Sequence, residues 1–184
     1  METTNRFIEE AAWTTKAGLE AKVLIIVDQP DNRKRHRCGY VAVPVDHPLN
    51  GVDRGEQVPA ITQDMVDNIT LGKRSAILII TRTLGSDGEG LVRRSPDILF
   101  DVHGGLTFSG AGESINLPGP SWWFGFDCAH AGDGVIEPSE FELKYNTGAV
   151  VRTLEFCKEE CESLAKQIVE LYSPKLLEDK SNDE

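Results

Sequence analysis

The stretch Val150-Val-Arg-Thr-Leu-Glu-Phe-Cys-Lys-Glu-Glu-Cys-Glu-Ser-Leu-Ala-Lys-Gln-Ile-Val-Glu-Leu171 reads as one long helix. Its Val150, Leu154, Cys157, Cys161, Leu164, Ile168 and Leu171 are spaced 4, 3, 4, 3, 4 and 3 residues apart. That spacing keeps them on one stripe of an α-helix, with Lys, Glu and Gln elsewhere. Asn146 or Thr147 suits its start as a cap, and Ser173-Pro174 stops it. At about 1.5 Å per residue, a helix over 148–172 spans roughly 37 Å, long enough to cross a whole sheet.

Outward from this helix the chain reads mostly as strands. Ala21-Lys-Val-Leu-Ile-Ile-Val27 is a β-branched run that suits a buried strand, and Ser75–Thr83 is the clearest strand of all. In Cys38–Val45, Tyr40, Ala42 and Pro44 alternate with Val41, Val43 and Val45, and Pro44 marks an edge or an end. Asp97–His103, Leu106–Phe108 and Ser121–Cys128 read as further strands. Residues 6–20, which mix Ile8, Ala11, Ala12, Trp13 and Leu19 with charges, predict a short amphipathic helix. Residues 58–70 predict another, from Ile61, Met65, Val66 and Ile69. The run Arg33-Lys-Arg-His-Arg37 reads as a solvated loop or, more sharply, as a flap bringing positive charge to an anionic ligand. Strands joined by short links, with helices at both ends, predict an α+β fold with a mixed or largely antiparallel sheet. The long helix packs on one face, 1–174 form a single domain, and 175–184 are a charged, frayed tail.

Composition narrows the function classes. With 184 residues, 40% hydrophobic and 27% charged, the chain is neither wholly disordered nor collagen-like. No apolar run approaches the ~20 residues of a membrane helix, and the N-terminus lacks a signal peptide's apolar core. A cytoplasmic protein without a membrane partner is expected. The net charge of −11, from 19 Lys+Arg against 30 Asp+Glu, repels a phosphate backbone and excludes a nucleic-acid polymer as partner. Cys38, Cys128, Cys157 and Cys161 read as free thiols, the last two as small hydrophobes on the helix stripe. Cys128 is a poor nucleophile because Asp127 beside it raises its pKa.

The chemistry concentrates in 101–134, which holds eight of the 17 glycines, two of the four histidines and no Lys or Arg. In Asp101-Val-His-Gly-Gly-Leu-Thr107 a histidine meets a double-glycine turn. On a strand Asp101 and His103 point to one face, and Gly104 and Gly105 let a ligand approach the backbone. In Trp122-Trp-Phe-Gly-Phe-Asp-Cys-Ala-His-Ala-Gly-Asp133 an aromatic strand runs into Asp127, His130 and Asp133 at three-residue spacing. Carboxylate and imidazole there can hold a metal, Zn or Mn, or one can orient the other for acid–base work. His47, in Asp46-His-Pro48, is a third histidine after a strand with an acidic neighbour. Together His47, His103, Asp127, His130 and Asp133 are expected to line one pocket. If the protein is catalytic, His130 is the acid–base residue, oriented by Asp127 or Asp133. Ligand binding falls to His47, His103, Gly104, Gly105, Thr107, Tyr40 and the apolar wall of Trp122 and Trp123.

The ordered motifs Gly39-Tyr-Val-Ala-Val-Pro44, His47-Pro-Leu49 with Gly51, His103-Gly-Gly-Leu-Thr107 and Gly125-Phe-Asp-Cys-Ala-His-Ala-Gly-Asp133 resemble a family of small proteins encoded by tailed bacteriophages and prophages. The resemblance covers 39–51 and 102–133, together with a C-terminal helix. It implies an accessory protein at work in the cytoplasm of a bacterial host, and by analogy one that sequesters or degrades a nucleotide signal of immunity. Three function classes stay open at this point. The first is a binder of a small polar, nucleotide-like ligand. The second is a metal-dependent hydrolase using the same His/Asp cluster, and the third is a structural or protein-inhibitor role. A homo-oligomer fits any of them.

Overall fold

The run Glu20–Val27 is apolar on both faces because it lies inside a sheet with cover on each side. The computed structural model describes residues 6–29, 31–58, 61–69, 94–117 and 119–172. The strand expected at Ser75–Thr83 and the tail lie outside them.

Strands β1 (Phe7–Thr14), β2 (Glu20–Val27), β3 (Lys34–Val43), β4 (Phe108–Ala111) and β5 (Trp122–Asp127) form one sheet in the order β1-β2-β3-β5-β4, antiparallel at every step. The alternation in β3 divides its side chains. Val41 and Val43 join the larger core with Ala21, Val23, Phe124 and Phe126, whereas Cys38, Tyr40 and Ala42 join Leu24, Trp123, Ile115 and Leu117 on the opposite face.

Helix α4 (Leu154–Tyr172) lies across the larger core, with Cys157, Cys161, Leu164, Ala165, Ile168 and Leu171 fully buried. Gly39 makes this close packing possible, since a Cβ there would stand 2.4 Å from the Phe126 ring and 2.8 Å from Cys161 Sγ. The fold is α+β, with the C-terminal helix on one face of an antiparallel sheet. Among the described residues no helix is long and apolar enough to cross a membrane.

Several local expectations are overturned. Residues 7–14 form a strand and not a helix. A bulge between Glu9 and Ala11 reverses the parity, so Phe7 faces the smaller core while Ala11 and Trp13 face the larger one. That switch breaks the period of two. Asp97–His103 is not a strand either. Pro96 opens the short helix α2 (Pro96–Leu99), where a missing N–H costs nothing. The chain then runs on without a ladder, and the side-chain amide of the wholly buried Gln167 takes the place of a neighbouring strand. Gln167 Oε1 accepts the Asp101 N–H and Gln167 Nε2 donates to the Asp101 carbonyl, both at 2.8 Å.

The helix expected over 58–70 is the shorter α1 (Gln63–Asn68), capped by Thr62. Helix α4 begins at Leu154 because Val150 is bridged to Asp133, with Thr153 Oγ1 accepting the Phe156 N–H. Ahead of it, a helix not expected from the sequence reading, α3 (Glu140–Tyr145), starts at the capping box of Ser139-Glu-Phe-Glu142, in which Ser139 and Glu142 cap one another.

The basic run is neither a loop nor a flap. Lys34–Arg37 belong to β3, and their charges are paired within the chain. Arg35 meets Glu142 at 2.6 Å and Asp28 at 3.2 Å, while Arg37 grips Glu10 at 2.6 and 2.7 Å and donates to the Arg152 carbonyl. Arg33 pairs with Asp31.

Candidate functional site

Two turns meet where β5 ends over the start of α4. Past Asp127 the chain folds back at once, because Asp127 Oδ1 accepts the Ala129 N–H and the His130 carbonyl accepts the Asp133 N–H, each at 2.9 Å. Asp133 is then anchored beside Val150, whose N–H donates to the Gly132 carbonyl and whose carbonyl accepts the Gly134 N–H. The second turn is His103–Gly105. It closes with the Gly105 N–H on the Val102 carbonyl, and Glu160 of α4 accepts the His103 N–H at 2.8 Å.

These turns bring His103, His130 and Asp133 together, with one potential ligand atom from each within 4.8 Å of the others. The Asp133 side chain is only 1% exposed. Its Oδ2 accepts from His103 Nε2 at 2.7 Å and from the His130 backbone N–H at 3.0 Å, and its Oδ1 accepts from Arg152 Nε at 2.6 Å. Since a carboxylate only accepts, His103 carries its proton on Nε2. Burial pushes the Asp133 carboxyl up, but the hydrogen bonds from His103 and Arg152 outweigh it and hold it below the usual carboxylate range.

His130 differs from His103. Its Nδ1 is buried, has no hydrogen-bond partner, and stands 3.7 Å from both Asp127 Oδ1 and Asp133 Oδ2. Neither carboxylate therefore holds the His130 ring as the sequence led us to expect; the imidazole oriented by Asp133 is His103. Phe156 meets the His103 ring edge-on at 5.2 Å and carries the Arg152 guanidinium at 5.0 Å.

Gly104 is required by conformation and by space. Its φ is +69°, and a Cβ there would fall 2.0 Å from His130 Cε1. Gly105 has a φ of +84° with open space around it. Left-handed backbone costs a residue with a Cβ about 1–2 kcal/mol, so Gly105→Ala is expected to lose that much stability and leave the cluster intact. Gly104→Ala is expected to lose more and to shift the His130 ring resonances in NMR spectra. Equal effects of the two substitutions would contradict this packing of His130 on Gly104.

The other expected residues lie elsewhere. The His47 ring packs on Tyr172 at 5.3 Å, and its Nδ1 accepts the Leu49 N–H. Phe156 and Tyr172 are separated by sixteen residues of α4, or about 24 Å of rise, so the three histidines do not converge. Burial holds His47 below the usual histidine range. Trp123 and Tyr40 are buried in the smaller core, and Trp122 Nε1 donates to the Val52 carbonyl. These aromatics do not wall the cluster, because they face the packed sheet. Thr107 lines a separate open cleft of about 550 Å³ with Asp53, Arg54 and Phe108.

Cys128 Sγ lies 3.6 Å from Cys157 Sγ, both buried, and that contact together with burial pushes the Cys128 thiol far up. It is inert as a nucleophile. Arg152, Phe156 and Glu160 were missed by sequence reasoning. The one available signal was the lack of Lys and Arg across 95–143, which called for positive charge from another segment.

Two imidazoles and a carboxylate, with Asp127 alongside, are a donor set suited to Zn or Mn. Two ligands ~2.1 Å from a shared ion stand roughly 3–3.5 Å apart, close to the 3.7 Å separations around His130 Nδ1. A metal held by this set would take the place of the proton between His103 and Asp133, and Arg152 on the second carboxylate oxygen would orient that carboxylate. Comparison with protein-family models, with characterised proteins and with solved structures finds no match.

Proposed function

We propose that this chain is a divalent-metal-dependent hydrolase, with His103, His130 and Asp133 as ligands and Asp127 beside them. The observation that carries this reading is the buried His130 Nδ1, which has no hydrogen-bond partner and faces two carboxylate oxygens at 3.7 Å. A bound Zn or Mn ion supplies activated water near neutral pH. Arg152 adds positive charge beside the cluster, which suits a substrate with a negative group. The substrate class, a small polar nucleotide-like molecule, and the setting, a phage accessory protein in the cytoplasm of a bacterial host, rest on the motif resemblance. The alternative of a binder that stacks a base loses support because Tyr40, Trp122 and Trp123 pack elsewhere.

Protein purified without chelator is expected to carry one Zn or Mn per chain by elemental analysis. His130→Ala is expected to weaken Zn²⁺ binding by roughly 100-fold or more, since few ligands share the binding energy. With its ring 32% exposed, the substitution is expected to change the melting temperature little. Zn²⁺ and Mn²⁺ affinities no greater than those of a His103→Ala/His130→Ala chain would overturn the reading. Intact nucleotide released from the purified protein by heat would turn it to the binder.

A further inference from the structure

Arg152 is held from several sides. Among the described residues its side chain makes one hydrogen bond, from Nε to Asp133 Oδ1 at 2.6 Å. Phe156 carries the guanidinium at 5.0 Å and itself meets the His103 ring at 5.2 Å. The backbone is held as well, since the Arg152 carbonyl accepts from Arg37 Nη1 at 2.8 Å and Arg37 is clamped on Glu10. The remaining donors of the fork, on Nη1 and Nη2, meet no acceptor among the described residues, and the side chain is 29% exposed. Those residues place no other Lys or Arg in ion contact with Asp127 or Asp133.

Asp133 ties this fork to the proposed metal set, with Oδ2 toward His103 and His130 and Oδ1 on Arg152. The group that the fork grips is therefore the group beside the ion, which is the one under attack. It has to be anionic and hydrolysable at once. A carboxylate offers no bond to hydrolyse, and an amide or ester carbonyl brings no charge. A phosphate ester has both, and its oxygens suit a guanidinium fork. Charge narrows the choice further. Asp127, Asp133 and Glu160 stand around a single arginine, so positive charge is scarce even with a divalent ion bound. We infer, resting on the metal reading above, that the site hydrolyses a phosphodiester whose unesterified oxygens accept from Arg152 Nη1 and Nη2. A diester carries a single negative charge, whereas a monoester dianion or a polyphosphate would leave charge without a partner. Water adds to phosphorus, one ester P–O bond breaks, and a proton of the water goes to the departing alkoxide. The products are an alcohol and a phosphate monoester.

Metal and diester are measured separately on the full chain. Equilibrium dialysis gives the Mn²⁺ content, and the phosphorus NMR relaxation of dimethyl phosphate, enhanced by bound Mn²⁺, gives the diester affinity. Arg152→Lys keeps a charge for Asp133 but loses the fork. It is expected to retain Mn²⁺ and to bind dimethyl phosphate roughly 10-fold or more weakly, as the loss of one charged hydrogen bond gives. The metal-loaded wild type is expected to hydrolyse bis(p-nitrophenyl) phosphate with a higher kcat/KM than p-nitrophenyl phosphate, a comparison that needs no variant. Arg152→Lys with Mn²⁺ retained and diester affinity unchanged overturns the inference and leaves the metal reading standing. So does a wild type that prefers the monoester. A wild type that binds neither Mn²⁺ nor Zn²⁺ overturns both.

Discussion

Leu164→Asp is expected to lower the melting temperature by roughly 10 °C or more, or to prevent folding, because it buries an unpaired charge at a cost of several kcal/mol. Leu164 is completely inaccessible and sits mid-helix, in the stripe of α4 that covers the larger core. Leu164→Met is the control. A volume-conserving apolar swap usually costs less than about 1.5 kcal/mol, so the two variants are expected to separate clearly in a thermal melt followed by circular dichroism. An aspartate variant melting with the wild type would mean that α4 does not pack on this sheet.

Asp133→Ala is expected to have the largest effect on the site. It removes a ligand of the proposed metal site, and it also removes the group that holds His103, Arg152 and the His130 backbone N–H together. Stoichiometric Zn or Mn is expected to disappear from the purified protein. Breaking a buried pair by deleting one partner costs roughly 3–5 kcal/mol. Arg152 is 29% exposed and can turn to water, so about 2–3 kcal/mol is expected in the metal-free chain. Metal retained at full stoichiometry would exclude Asp133 as a ligand.

The same carboxylate sets a pH dependence. Its folded-state pKa lies below the usual value, so its contribution is fully present above the unfolded value of about 3.9. That contribution is lost as the pH falls through the folded value. In metal-free protein, the stability gap between wild type and Asp133→Asn, measured by urea melts, is therefore expected to close as the pH is lowered into the acid range. A gap that does not change with pH would mean that the ionised carboxylate is not what holds the cluster.

What the sequence determined by itself was local and periodic. The stripe of α4, the alternation in β3 and the aromatic run of β5 each carry their own period, which reports a buried face without any knowledge of the partner. The association of Asp133 with His103 and His130 was legible in part, because strand ends and glycine turns mark where polar groups gather. Only the tertiary structure decided which group pairs with which. The bulge between Glu9 and Ala11 hid a strand by reversing its parity, and Pro96 converted an apolar run into a helix start. The basic run became ion pairs through Glu10 and Glu142, and the positive charge missing from 95–143 came from Arg152. His47 follows β3 much as His130 follows β5, yet it packs on Tyr172 toward the far end of α4. A hydrogen bond or an ion pair depends on a few ångströms between atoms, and for residues tens of positions apart those ångströms are set by how the sheet and helix pack.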